Sequence, residues 1–121
     1  SALFTVSNGM ILLTSIVGVV TTVIQTQANN TKLVANPTSG TDVDLCAVLN
    51  ISADAVGDIY TITGVLSDAM VGAGVAAAAM AKPIIVPAGT IDLSCAASNT
   101  GAIRWVLHYL PLEAGASVAA A

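Results

Sequence analysis

An all-β fold, arranged as an antiparallel sandwich, is predicted by three features of this 121-residue sequence. The first is the stretch from Met10 to Thr26, where eleven of seventeen residues are Val, Ile or Thr. Those side chains are stiff at χ1 or suit a pleated surface better than a helix. The second is the density of turn signals: Asn36-Pro37-Thr38-Ser39-Gly40, Pro87-Ala88-Gly89 and Ser98-Asn99-Thr100-Gly101 cut the chain into short segments. The third is the alternation from Ala102 to Leu110, which puts Ile103, Trp105, Leu107 and Tyr109 on one face and Arg104, Val106 and His108 on the other.

Taken in order, Met10 to Ile24 carries no charge and invites comparison with a membrane-spanning helix. A spanning helix needs about twenty predominantly apolar residues. This run is shorter, is interrupted by Thr14, Ser15, Gly18, Thr21 and Thr22, and lacks flanking Lys, Arg, Trp or Tyr anchors. One long strand, or two strands bent near Gly18, is the expectation. Lys32 to Ala35 is a short extended run. Val43 to Leu49 reads as a strand with Val43, Leu45, Ala47 and Leu49 on one face, and Ile59 to Thr63 alternates again. For Ala69 to Ala81 the alanines favour helix while Gly72 and Gly74 oppose it, so a loop or short strand is an equal alternative. Pro83 and Pro87 bracket Ile84-Ile85-Val86, the mark of an edge strand or of a strand start. Ile91 to Leu110 is expected to form a hairpin central to the sandwich, closing at Ser98–Gly101. The whole chain is expected to be a single domain, 1–121, of jelly-roll-like type. Its uncharged N-terminal segment, Ser1 to Asn8, and the small-residue tail from Ala114 to Ala121 are expected to be unpaired and free to drape on a neighbour.

Charge narrows the function classes. The first charged side chain is Lys32, and the chain holds three basic and seven acidic residues for a net charge of −4. Nucleic-acid binding needs clustered Lys and Arg, and an anionic membrane surface asks for the same, so neither partner is expected. Charged residues make up 8% of the chain, against about a quarter in an average soluble domain. A domain this size leaves much of its surface outside the core, so that surface is apolar or weakly polar and calls for other protein or lipid to cover it. A homo-oligomer follows as the expectation. The N-terminus lacks a basic region before its apolar residues, so no secretory leader is expected. The triplets Asn29-Asn30-Thr31 and Asn50-Ile51-Ser52 then read as chance matches. Cys46 and Cys95 are too few for a disulfide scaffold and are expected to be buried core thiols, with a bridge between them as the alternative.

No catalytic, cofactor-binding or metal-ligating constellation emerges. His108 shares its strand face with Arg104 and Val106 and with no carboxylate to orient it. Asp42 and Asp44, with Asp54 and Asp58, are an incomplete oxygen set for calcium. Gly72-Ala73-Gly74 lacks the rest of a nucleotide fingerprint. Tyr60, Trp105, Tyr109 and Phe4 are the only aromatic residues, few for a sugar-binding surface.

Val86-Pro87-Ala88-Gly89-Thr90-Ile91-Asp92-Leu93, Ser98-Asn99-Thr100-Gly101-Ala102-Ile103-Arg104-Trp105 and the close Tyr109-Leu110-Pro111-Leu112 resemble a family of small virion structural proteins of tailed bacteriophages. The segment Val20 to Pro37 is similar to that family too. The resemblance implies a capsid decoration, or head cement, protein with a β-sandwich fold, commonly trimeric. It implies a virion location after synthesis in the bacterial cytoplasm, and the major capsid protein as partner. It supplies no catalytic residue. A head-fibre base or tail subunit is the alternative reading. A membrane-inserted or pilus-like subunit is another, and a glycan-binding module of a virion fibre a further one.

Overall fold

The computed structural model describes residues 1–121. It contains eleven strands and no helix: β1 Ala2–Ser7, β2 Ile11–Thr22, β3 Asn30–Pro37, β4 Val43–Asp44, β5 Leu49–Asn50, β6 Ile59–Thr61, β7 Val71–Ala73, β8 Ile84–Val86, β9 Gly89–Cys95, β10 Ala102–Pro111 and β11 Ser117–Ala120. They form two open antiparallel sheets. The first runs β11-β1-β9-β3-β4, with β5 also on β3; the second runs β10-β2-β6-β7, with β8 also on β2.

One hydrophobic core joins the sheets. Val6, Leu33, Ala35 and Ile91 come from the first, and Ile11, Leu13, Ile16, Val20, Tyr60, Ile84 and Val86 from the second. Fully burying a side chain of this kind is worth about 1.5–3 kcal/mol, so this layer supplies the main driving force. The uncharged Met10–Ile24 run forms β2, the central strand of the second sheet. It is a single strand, and the helical alternative is set aside. No helix is long and apolar enough to cross a membrane.

The burial of β2 changes phase within the strand. Ile11 and Leu13 are buried, and then Ile16, Gly18 and Val20. The shift lies in the pairing with β10, where His108 faces Ser15 but Tyr109 faces Leu13, so Thr14 is the extra residue of a bulge. A second slip at Ala102/Ile103 leaves Thr21 over. These bulges let β10 keep strict alternation against a strand that does not.

Several expectations need correction. The N-terminal segment and the tail do not hang free: β1 pairs with β9 on one side and with β11 on the other, Phe4 opposite Ala120 and Ser7 opposite Ser117. The open edge of β1 offers backbone donors and acceptors that outweigh the weak strand preference of Ala. Ile91 to Leu110 is no hairpin. β9 lies between β1 and β3 in the first sheet, while β10 pairs with β2 in the second. The intervening turn is instead fastened to the chain after β2, where Asn99 Nδ2 donates to the Gln25 and Gln27 carbonyls and Thr100 N–H to Gln25 Oε1. Val43 to Leu49 is not one strand but β4 and β5 separated by a turn, with Leu45 and Cys46 buried in succession. Residues 69–81 yield only the short strand β7. Met70 before β7 and Met80 in the loop after it are both buried, and Val75 between them is 85% exposed.

Pro83 and Pro87 do bracket β8, which pairs with β2 alone. The turn from β1 to β2 takes positive φ at Asn8 and Gly9. A Cβ at Gly9 would collide with Glu113, whose carboxylate accepts the Met10 N–H at 2.7 Å.

Candidate interaction surface

The inner and outer faces of the second sheet follow from the pairing of β10 with β2. Ile103, Trp105, Leu107 and Tyr109 point inward and are partly buried against the core. Arg104, Val106, His108 and Leu110 point outward and are exposed.

Register extends the outward set across the sheet. Leu110 lies opposite Leu12, and Leu12 opposite Ile85 of β8. Val106 lies opposite Val17. Arg104 lies opposite Val19, and Val19 opposite Ile59 of β6. Only the His108–Ser15 row lacks an aliphatic residue. Ile85 is 62% exposed, Leu110 57% and Val106 43%. Leu12, Val17, Val19 and Ile59 are half-buried. The rows at Val106 and Leu110 are therefore wholly aliphatic, the row at Arg104 pairs its single charge with Val19 and Ile59, and Ala102 faces Thr22 at the end of the strand. An exposed apolar face of this kind, parted by the polar His108–Ser15 row, is a candidate association surface.

Under this face, Trp105 and Tyr60 flank Gly18 on the inner side, each directly opposite it. Their rings stack with centroids 6.4 Å apart at 28°. The Tyr60 hydroxyl donates to Asp54 Oδ2 at 2.5 Å, and burial together with that bond pushes its pKa upward. Trp105 also walls a cleft of about 490 Å³ between the sheets, together with Leu3, Ile24, Asn29, Leu93 and Ile103.

The residues singled out for chemistry do not come together. His108 stands exposed on the outer face opposite Ser15. Asp44 pairs with Lys32 at 2.9 Å, Asp54 holds Tyr60, and Asp58 accepts the Ala55 N–H at 2.9 Å. No three His, Cys, Asp or Glu side chains are gathered in a way that could hold a metal ion. Gly72-Ala73-Gly74 runs through the end of β7, and a Cβ on Gly72 would meet Leu49. Tyr109 faces inward, as Trp105 and Tyr60 do, so these rings form no stacking platform on the outer face.

Cys46 is fully buried, where its sulfur accepts the Leu33 N–H at 3.4 Å and desolvation raises its thiol pKa. Cys95 corrects the expectation of a second core thiol. It is exposed and free, because the last residue of β9 lies past the core at the rim of the cleft.

The outer face itself was only half visible in the sequence. Alternation in β10 separates two sets of residues, but both contain large aliphatics. The partners on β2, β6 and β8 depend on a register that the Thr14 bulge alters. Comparison with models of protein families, with curated proteins and with solved structures finds no match to this chain.

Proposed function

We propose that the chain is a non-catalytic structural subunit of a tailed-phage virion, a capsid decoration protein that binds the major capsid protein and reinforces the head. The observation that carries this reading is the aliphatic outer face of the second sheet, exposed at Val106, Leu110 and Ile85. A charge-poor sequence and the resemblance in the Val86–Leu112 region support it. The face would lie on the shell through Leu12, Val17, Ile85, Val106 and Leu110, burying apolar area. Self-association would multiply these contacts, since docking one subunit raises the effective concentration of its mates.

Two features support a jelly-roll-like arrangement within this reading. The order β1-β9-β3 in the first sheet places the early and late strands side by side. β2 and β8, which adjoin β1 and β9 in the chain, pair with each other in the second sheet.

Particles prepared without this protein test the proposal. They should assemble but break at lower temperature or under milder osmotic shock than complete ones, and adding the purified chain should restore them. Ile85→Lys combined with Leu110→Lys should keep the fold and lose particle binding. Particles lacking the protein that survive as well as complete ones would defeat the reading.

A further inference from the structure

An open sheet must hide or blunt its edges, because an unpaired strand offers its backbone to any other extended chain. Most edges here are blunted by shortness. β4 and β5 have two residues each, β7 three and β11 four, while β8 has three between two prolines. β10 is the exception. It has ten residues, about 34 Å at the usual rise per residue, and pairs with β2 alone. Pro111 comes only at its end, it holds no lysine, and the bulges in its ladder lie on β2. Arg104 is its single charge, and hydrophobic residues alternate on both of its faces.

We infer that β10 is an assembly edge, and that its occupant is β10 of a second copy, joined antiparallel about a two-fold axis near Val106 or Leu107. Length selects the occupant. Any other edge strand of a second copy has four residues or fewer and would leave most of β10 unpaired. Another β10 covers it completely, and the isologous contact satisfies both edges at once. With the axis perpendicular to the sheet, residues that meet across the junction share a face. The two second sheets become one continuous sheet. The aliphatic outer faces merge into a surface of twice the area, and the inward rows Ile103, Trp105, Leu107 and Tyr109 of the two copies meet edge to edge. The unit is then a dimer, in contrast to the trimer that the resemblance implies. The inference stands apart from the shell-binding reading, since purified chain answers it without particles.

The test combines sedimentation equilibrium with amide hydrogen exchange on the purified full chain. A paired β10 gives a dimer mass at micromolar concentration and protection of consecutive β10 amides. The amides directed away from β2 should exchange ~100-fold or more slowly than open ones. Val106→Lys brings like charges close across the junction and should weaken the dimer at least about tenfold at low salt, with recovery at high salt. A monomer, a trimer, or a dimer in which alternate β10 amides exchange freely would each overturn the inference. In the first case, with the edge open, a strand of a different protein becomes the occupant.

Discussion

The indole of Trp105 fills the place a side chain would take at Gly18. A Cβ built on Gly18 falls 2.8 Å from two carbons of the Trp105 ring, closer than such contacts occur. The two residues are direct cross-strand partners in the middle of the second sheet. A glycine inside a strand weakens it, and an aromatic ring from the neighbouring strand restores the lost packing.

Gly18→Ala should therefore destabilise, although alanine ordinarily improves on glycine in a strand. The expected loss is about 1–3 kcal/mol, the usual cost of overpacking a fitted core. Trp105→Ala should cost about 2–3 kcal/mol, below the range for a fully enclosed ring because Trp105 is only half-buried. The double variant should cost less than the sum of the two, since the methyl then enters vacated space. Urea unfolding of all three checks this, and strict additivity would contradict it.

The two thiols should separate cleanly in labelling. Cys95 is exposed and should react with a maleimide reagent in the folded protein. Cys46 is buried and its thiol pKa is raised by desolvation, so it should react only on unfolding. Mass spectrometry over a time course reads both rates. Similar rates in native buffer would contradict the assignment.

Alkali should weaken the fold through Tyr60. Its pKa is raised above the ordinary 10.0, by burial first and then by the hydrogen bond and charge of Asp54. Below pH 10 the phenol is neutral in both folded and unfolded chains. Above it the unfolded chain loses the proton and the folded one keeps it, so stability falls as pH rises. Tyr60→Phe should flatten this alkaline limb while lowering stability at pH 7 by about 1–3 kcal/mol, because Asp54 loses its donor. Thermal unfolding between pH 7 and pH 11 shows both effects.

Removal of residues 117–121 should destabilise the chain and expose β1, contrary to what a loose tail would do. The deleted strand pairs with four residues of β1, and Ala121 N–H bonds the Leu3 carbonyl at 3.1 Å. At about 1 kcal/mol per net hydrogen bond, a loss of 2 kcal/mol or more is expected. Faster proteolysis near Phe4 in the truncated chain would confirm it, and unchanged stability would contradict it.

What the sequence reveals of this fold follows from how locally each feature is determined. β2 is legible because its β-branched residues prefer a strand before any partner is present. β8 is legible because Pro83 and Pro87 forbid more than an edge. β11 is not: Ser117, Ala119 and Ala120 have little strand preference of their own, and their pairing comes from the open edge of β1. The allocation of β9 and β10 to different sheets is equally hidden, since Asn99 and Thr100 build a turn whose partners, Gln25 and Gln27, lie more than seventy residues away. For the interaction surface, Val106 and Leu110 are readable as one strand face. Their neighbours Val17, Leu12 and Ile85 become readable only once Thr14 is known to be the residue that slips.

The pairing of β1 with β11 also makes the molecule nearly circular. Leu3 and Ala121 share a hydrogen bond, so a short linker from Ala121 to Ser1 would span little distance. New ends could then be opened among Ala76–Ala79, in an exposed loop outside every strand. The order in which the strands are synthesised would change, but their partners would not. Anything attached at Ser1 or Ala121 would leave from one corner of the first sheet, beside the cleft that Leu3 shares with Ile103 and Trp105 of β10.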